Sequence, residues 1–200
     1  SRESLNIQTK ATLERNAGNI NDFANSIRAM RRHEIERIGL AWMSGVIDDE
    51  ASLAGMTDVY DAAIEASLQW AIRHRINDMQ LEQAPAAIAI IGMGRYGGRE
   101  VNFSSDADVI IIYRPAEGAD DTQANLFARK VQEDLRAILQ GPTTFEPKIE
   151  LDMDLRPEGK NGPLVRSYAS CEEYYRSWAS TWEHQALLRA RYAAGDASLA

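Results

Sequence analysis

Cysteine is almost missing from this chain of 200 residues. Cys171 stands alone, so no intramolecular disulfide can form, and a reducing compartment is the natural expectation. Histidine is scarce too: His33, His74 and His184 are scattered without metal-ligand spacing, which together with the single thiol excludes a zinc centre. No apolar run approaches the roughly 20 residues needed to cross a bilayer. The N-terminus is polar and has no signal-peptide core, so nothing directs export and a cytoplasmic location is expected. Positive charge is in deficit, with 22 Lys and Arg against 30 Asp and Glu and a net charge of -8. That excludes a general binder of nucleic-acid backbone, which needs a basic face, and leaves a free nucleotide as the better partner. Neither nucleic acid nor a membrane is an expected partner. Internal repeats and low-complexity stretches are absent as well.

What is present is an ordinary globular balance, 44% hydrophobic and 26% charged, suited to one domain or to a compact domain with an appended helical segment. Residues 11 to about 80 read as helical. Phe23, Ile27, Met30, Ile35, Ile38 and Trp42 recur at helical spacing. A break follows over Val46 to Gly55, and a second helix runs from Thr57 to Gln80, carrying Val59, Ala62, Ala63, Ala66 and Trp70. Pro85 closes this segment. The chain therefore divides into a helical part, residues 1–84, and a second part, residues 85–200.

The second part opens on Ala86 to Ile91, an isoleucine-rich strand, followed by the glycine-rich turn Gly92-Met-Gly-Arg-Tyr-Gly-Gly98. Val109 to Tyr113 is a second strand. A helix after Asp120 and Asp121 places Phe127, Val131, Leu135 and Ile138 on one face, and Gly141-Pro142 stops it. Lys148 to Leu155 alternates as a third strand, and Arg156 to Gly162 is a loop. A last helix opens with a capping box at Ser170 and Glu173 and runs to about Ala193, with Gly195 as its stop. Trp178 and Trp182 on it read as core. Trp182, Gln185 and Arg189 share a face, from which Arg189 could reach a phosphate or make a surface ion pair. Cys171, in the first turn, reads as inert.

Gly92, Gly94 and Gly97 spell G-x-G-x-x-G. A dinucleotide-binding crossover needs a helix and a dozen or so residues before the next strand, and the strand near Asp106 comes too soon. A turn whose amides cradle a phosphate fits the spacing better, and a tight turn with no ligand is the plain alternative. Tyr96 within it could pack on a base or cover the turn.

Ser105-Asp106-Ala107-Asp108 starts the second strand, where alternation points both carboxylates one way and Ala107 and Val109 into the core. On the third strand Glu150, Asp152, Asp154 and Arg156 share a face opposite Leu151, Met153 and Leu155. If the two strands are neighbours, Asp152 completes a cluster with Asp106 and Asp108. Glu150 and Asp154 read as solvated. Oxygen donors of this kind select Mg²⁺ or Mn²⁺.

Gly97-Gly98, then Ser105-Asp106-x-Asp108, then a third acid on a later strand resembles the DNA polymerase β-like nucleotidyltransferases. Longer strings narrow this. Ile91-Gly-Met-Gly-Arg-Tyr-Gly-Gly-Arg-Glu-Val-Asn-Phe-Ser-Ser-Asp-Ala-Asp108, Asp152-Met-Asp-Leu-Arg-Pro-Glu-Gly-Lys-Asn-Gly-Pro-Leu-Val165 and Thr181-Trp-Glu-His-Gln-Ala-Leu-Leu-Arg-Ala-Arg191 are similar to the glutamine synthetase adenylyltransferase family. The resemblance spans Ala86 to Ala200; the helices before it carry no distinctive motif.

The resemblance implies an α+β fold with a small mixed sheet preceded and followed by helices, and a fragment of a bifunctional enzyme. One half of such an enzyme attaches AMP from ATP to a tyrosine of glutamine synthetase; the other removes it by phosphorolysis. The Trp182-Glu-His-Gln-Ala string looks more like the attaching half. Asp106, Asp108 and Asp152 would be the ligands of Mg²⁺ or Mn²⁺. Gly94, Gly97, Gly98 and Ser105 would hold the triphosphate, with Arg156 and Lys160 as further phosphate contacts. Asp154 departs from the family, which often carries arginine there. A PII signalling protein and glutamine would tune the longer enzyme. The AMP-removing activity, a small-molecule nucleotidyltransferase and a regulatory fold without turnover are the alternatives.

Overall fold

A computed structural model describes residues 2–15, 18–142 and 146–199. Three helices come first: α1 (Arg2–Arg15), α2 (Ile20–Met43) and α3 (Asp49–Asp78). Then follow β1 (Ala86–Gly92), the one-turn helix α4 (Gly94–Gly97), β2 (Ala107–Pro115), α5 (Asp121–Gln140), β3 (Leu151–Asp152) and β4 (Val165–Ser167). The chain closes with α6 (Tyr168–Ser177), α7 (Thr181–Leu187) and β5 (Arg191–Gly195). This is the α+β arrangement with a small mixed sheet that the sequence implied.

Short polar side chains set the helix starts. Asn19 accepts from the amides of Asn21 and Asp22, Asp48 from Ala51, and Asp120 from Gln123, so each N-terminus has a side-chain acceptor for amides that lack an intrahelical partner. The Asp48 cap corrects the break expected over Val46 to Gly55. The acids there are not a loop but the cap and first turn of α3, where negative charge favours the helix dipole. Gly55 lies inside α3, where a Cβ would come within 3.3 Å of Ile38 Cδ1, so its small size lets α2 pack closely. The first expected helix is two, α1 and α2; residues 16 and 17, between them, lie outside the described ones.

The sheet runs β3-β2-β1-β5, with β4 also on β2. β1 and β2 are antiparallel, Gly92 opposite Val109 and Ile88 opposite Tyr113, which removes the dinucleotide-binding reading of the glycines. β3 and β4 lie parallel to β2 along its other edge, with Asp108 paired to Asp152 and Ile111 to Val165. One sheet face, through Ile88, Ile90, Ala107, Val109 and Ile111, joins the side chains of α2, α3 and α5 in a continuous apolar core. Ala89, Ile110 and Ile112 face the other way, against Cys171 of α6 and Ala186 and Leu187 of α7. The middle of α3 is enclosed on all sides: Val59 to Ile64 are buried without interruption. The buried Arg28 of α2 donates to the carbonyls of Ile138 and Gly141, both at 2.8 Å, and so satisfies the end of α5.

Two expectations fail near the C-terminus. The third strand is only two residues long, because the chain turns at Asp152, whose Oδ1 accepts the Asp154 amide at 2.7 Å. The helix expected from Ser170 to Ala193 is α6, α7 and β5. Ser167, not Ser170, caps α6. Glu183, not Glu173, reaches back, accepting the Ser180 amide at 2.8 Å and hydroxyl at 2.9 Å. Between the helices Trp178 stands 77% exposed, with Trp182 54% exposed, so neither belongs to the core. Arg191 to Gly195 pairs antiparallel with β1, taking its otherwise open edge; sheet pairing overrides the helical preference of the alanines there.

Candidate functional site

Alternation along β2 sends Asp106 and Asp108 to the same side as Ile110 and Ile112, beyond the part of that face which α6 and α7 cover. The parallel pairing of Asp108 with Asp152 brings the third acid in. One oxygen from each of Asp106, Asp108 and Asp152 lies within 4.8 Å of the other two, and all three side chains are half-buried. Among the described residues none of the three has a cation at ion-pair distance. Burial first, then the charges of Asp106 and Asp152, push the Asp108 carboxyl up to about 6; Arg95 in the glycine turn pulls the other way. Carboxylates crowded on one side without a paired cation are the donor set that a hard divalent cation satisfies.

The elements around the cluster fix its geometry. The loop before Asp106 is knotted by Asn102, whose Oδ1 accepts from the Ser104 amide and from the hydroxyls of Ser104 and Ser105. The Ser105 hydroxyl also accepts the Asn102 amide at 3.1 Å, and the Ser105 carbonyl accepts the Tyr60 hydroxyl of α3 at 3.0 Å. Ser105 is thus buried and engaged locally, next to the cluster rather than open to it. On the far side the Ala107 amide donates to the Glu150 carbonyl at 2.8 Å.

The glycine turn folds over Asp108. Gly94 has a φ of +51°, and a Cβ on it would overlap Asp108 Oδ2, so only glycine lets the turn and this carboxylate coexist. The Gly97 and Gly98 amides donate to Met93 O at 2.6 Å and Gly94 O at 3.1 Å. What these two glycines supply is therefore room rather than donors: a Cβ on Gly97 would overlap the Arg189 carbonyl, and one on Gly98 would lie 3.4 Å from Arg189 Cζ. Arg189 itself makes a surface ion pair with Glu100 at 2.9 Å. Tyr96 is fully buried beneath the turn, its ring 6.3 Å from that of Tyr60, so it covers the turn from inside and is closed to a base.

Two residues that no local signal marked hold this turn. Arg191 of β5 donates to the carbonyls of Tyr96 at 3.2 Å and Gly97 at 3.3 Å, at the end of α4. It is itself held by both oxygens of Asp61 on α3, each at 2.9 Å, and its guanidinium lies over the Tyr96 ring. Arg95, exposed in the turn and acting electrostatically on Asp108, was legible only as a basic residue between glycines.

The remaining sequence-derived candidates stand apart from the carboxylates. Arg156 is buried and donates to Met153 O at 2.8 Å and Gly162 O at 3.0 Å, which closes the loop after β3. Lys160 is exposed and pairs with Asp154 at 3.2 Å. Arg156 does contribute to the wall of a cleft of about 420 Å³ that also contains Asp106, Asp152, Arg136 and Asp154.

The family described as glutamate-ammonia ligase adenylyltransferase matches residues 2–200, which takes in the N-terminal helices that carry no distinctive motif. The bifunctional glutamine synthetase adenylyltransferase/adenylyl-removing enzyme of Bifidobacterium longum (strain DJO10A) is 76% identical over 199 residues, 100% of this chain and 18% of the relative. The relative of the same description in Mycobacterium tuberculosis (strain CDC 1551 / Oshkosh) is 46% identical over 172 residues, 86% of this chain and 17% of its own length. The chain thus spans about a fifth of these curated relatives. No helix among the described residues is long and apolar enough to cross a membrane.

Proposed function

Since the chain belongs to the glutamate-ammonia ligase adenylyltransferase family, we propose that it transfers AMP from ATP to a tyrosine hydroxyl of glutamine synthetase. The observation that carries this is the triad of mutually repelling carboxylates without a paired cationic side chain among the described residues. Asp106, Asp108 and Asp152 would hold Mg²⁺ or Mn²⁺, which when bound neutralises the triphosphate and the charge that develops on the leaving pyrophosphate.

The chain's own residues do the rest. The tyrosine oxygen attacks the α-phosphorus, the bond from that phosphorus to the bridging oxygen of the β-phosphate breaks, and pyrophosphate leaves. A tyrosine hydroxyl holds its proton to a pKa near 10, so a base is needed at neutral pH. Asp152, on the edge strand β3, is the acceptor proposed. Gly94 lets the turn close on Asp108, with Gly97, Gly98 and Ser105 shaping the wall against which the triphosphate lies. Arg95 is the nearby cation best placed to meet a phosphate oxygen. Arg156 and Lys160 act through the loop after β3. Residues 85–200 would form the catalytic part and the helices before it the scaffold, with control by a PII signalling protein exerted on the longer enzyme.

The relatives' names carry a second activity, and the same cluster serves it: phosphate attacks the AMP–tyrosine bond and ADP is released. One experiment separates the two. The protein is incubated with unmodified glutamine synthetase, Mg²⁺ and labelled ATP, with Asp106→Asn as control. Label on the synthetase, absent with the variant, supports the attaching reaction. ADP released from AMP-modified synthetase and phosphate, without labelling, replaces it with the removing reaction. Full transfer by Asp152→Asn would refute the base assignment.

A further inference from the structure

A second cleft, of about 690 Å³, opens between α5 and the segment from Lys160 to Val165, around the edge of the sheet from the carboxylates. Arg129, Gln132 and Arg136 enter it from α5, spaced three and four residues apart on one helix face. The opposite wall is Gly162, Pro163, Leu164 and Val165, with Lys160 at its mouth and the buried Arg156 in its floor.

Gln132 is only 4% exposed, and its Nε2 has no hydrogen-bond partner among the described residues. A buried amide donor without a partner is costly, so a native chain that keeps one in a cavity wall has a use for it. Arg129 and Arg136 form no ion pair among the described residues, in a chain whose net charge is -8. Guanidinium and ammonium groups donate only, and so does the orphaned amide nitrogen. Glu133 on the rim is the acidic exception, and Asp154 already holds Lys160.

We infer that this cleft is an anion site for a small phosphate-bearing ligand, whose acceptor-only oxygens meet Arg129, Arg136 and Gln132 Nε2. The carboxylate cleft and this one share Arg136, Arg156 and Leu164 in their walls. The anion thus has two sources: a free phosphate or pyrophosphate, or the tail of a nucleotide held at the carboxylates. The site stands on the geometry of α5 and does not rest on the AMP-transfer reading.

Calorimetric titration with pyrophosphate in phosphate-free, Mg²⁺-free buffer tests it. Saturable binding is expected in the wild type and in Asp106→Asn. The double variant Arg129→Gln/Arg136→Gln should bind at least about tenfold more weakly, as loss of two charge-assisted contacts requires, and Gln132→Leu about threefold more weakly. No binding to the wild type overturns the site, and so does binding that the double variant keeps or that Asp106→Asn loses. Given that pattern, Mg·ATP added to the wild type names the source. Displacement of pyrophosphate that Asp106→Asn abolishes supports the nucleotide tail; simultaneous binding supports a free anion. Loss of AMP transfer with pyrophosphate binding intact counts against the proposed function alone.

Discussion

The molecule treats its buried and half-buried carboxylates in two ways. Among the described residues, each one away from the cluster is matched. Asp134 of α5 meets Arg75 and His74 of α3, Asp61 receives both arms of Arg191, Glu146 accepts from Arg32, and Glu183 accepts from Tyr174 and Ser180. At the start of β2 three carboxylates face one another with no cationic side chain in contact among the described residues. The first group stabilises the fold. The second is a concentration of like charge that works against the fold, which is what marks it as the candidate site. The lack of a direct ion pair, more than the presence of acids, separates the candidate site from the scaffold.

That contrast can be broken from either side. Asp106→Asn should lower AMP transfer about a thousandfold or more, as loss of a charge-stabilising group does, yet leave the urea midpoint unchanged or raised, since it removes repulsion. A large loss of stability would place Asp106 with the scaffold acids instead. Gly94→Ala should lower transfer roughly a hundredfold, because the new Cβ overlaps Asp108 and the positive φ is strained as well. Transfer at the wild-type rate would show that the turn does not need to close on Asp108. Asp134→Asn should do the converse, costing about 3 kcal/mol in urea unfolding by leaving Arg75 half-matched, while kcat of the folded protein stays as it was.

The smallest effect concerns protons. In the fold Asp108 keeps its proton to about pH 6, whereas an unfolded aspartate releases it near 3.9. Between those values the native state binds more protons than the unfolded one, so stability of the metal-free protein falls as pH rises through that window. A divalent cation needs the carboxylate. The rise in Tm on adding Mg²⁺ should therefore be larger at about pH 7.5 than at about pH 5, by a few degrees. An equal rise at both would remove Asp108 from the metal set.

Local pattern carried much of this architecture. The isoleucine run of β1, the apolar face of α5 and its Asp120 cap lie where the residues place them. The carboxylates were legible as a pair because alternation fixes Asp106 and Asp108 on one side, and as a triad once β3 is put beside β2. The tail was not legible. Ser170 and Ser180 each stand three residues before a glutamate that could answer them, Ser167 caps without one, and local chemistry does not choose among the three. What chooses is the open edge of β1, which draws Arg191 to Gly195 into the sheet and ends α7 before it. The clamp of Asp61 and Arg191 on the glycine turn joins residues that have no pattern in common, only a shared place in space.

The pairing of β5 with β1 also sets an order of events. β1 and the glycine turn leave the ribosome about a hundred residues before Arg191 and the strand that carries it. Until then one edge of β1 offers unpaired amides and carbonyls to any passing strand, and the turn over Asp108 lacks its anchor. Distant pairings of this kind close slowly and leave a partly made sheet exposed to aggregation. The nascent chain therefore makes the centre of the candidate site first and locks it last, so no carboxylate triad of native shape should exist before residues 191–195 have emerged.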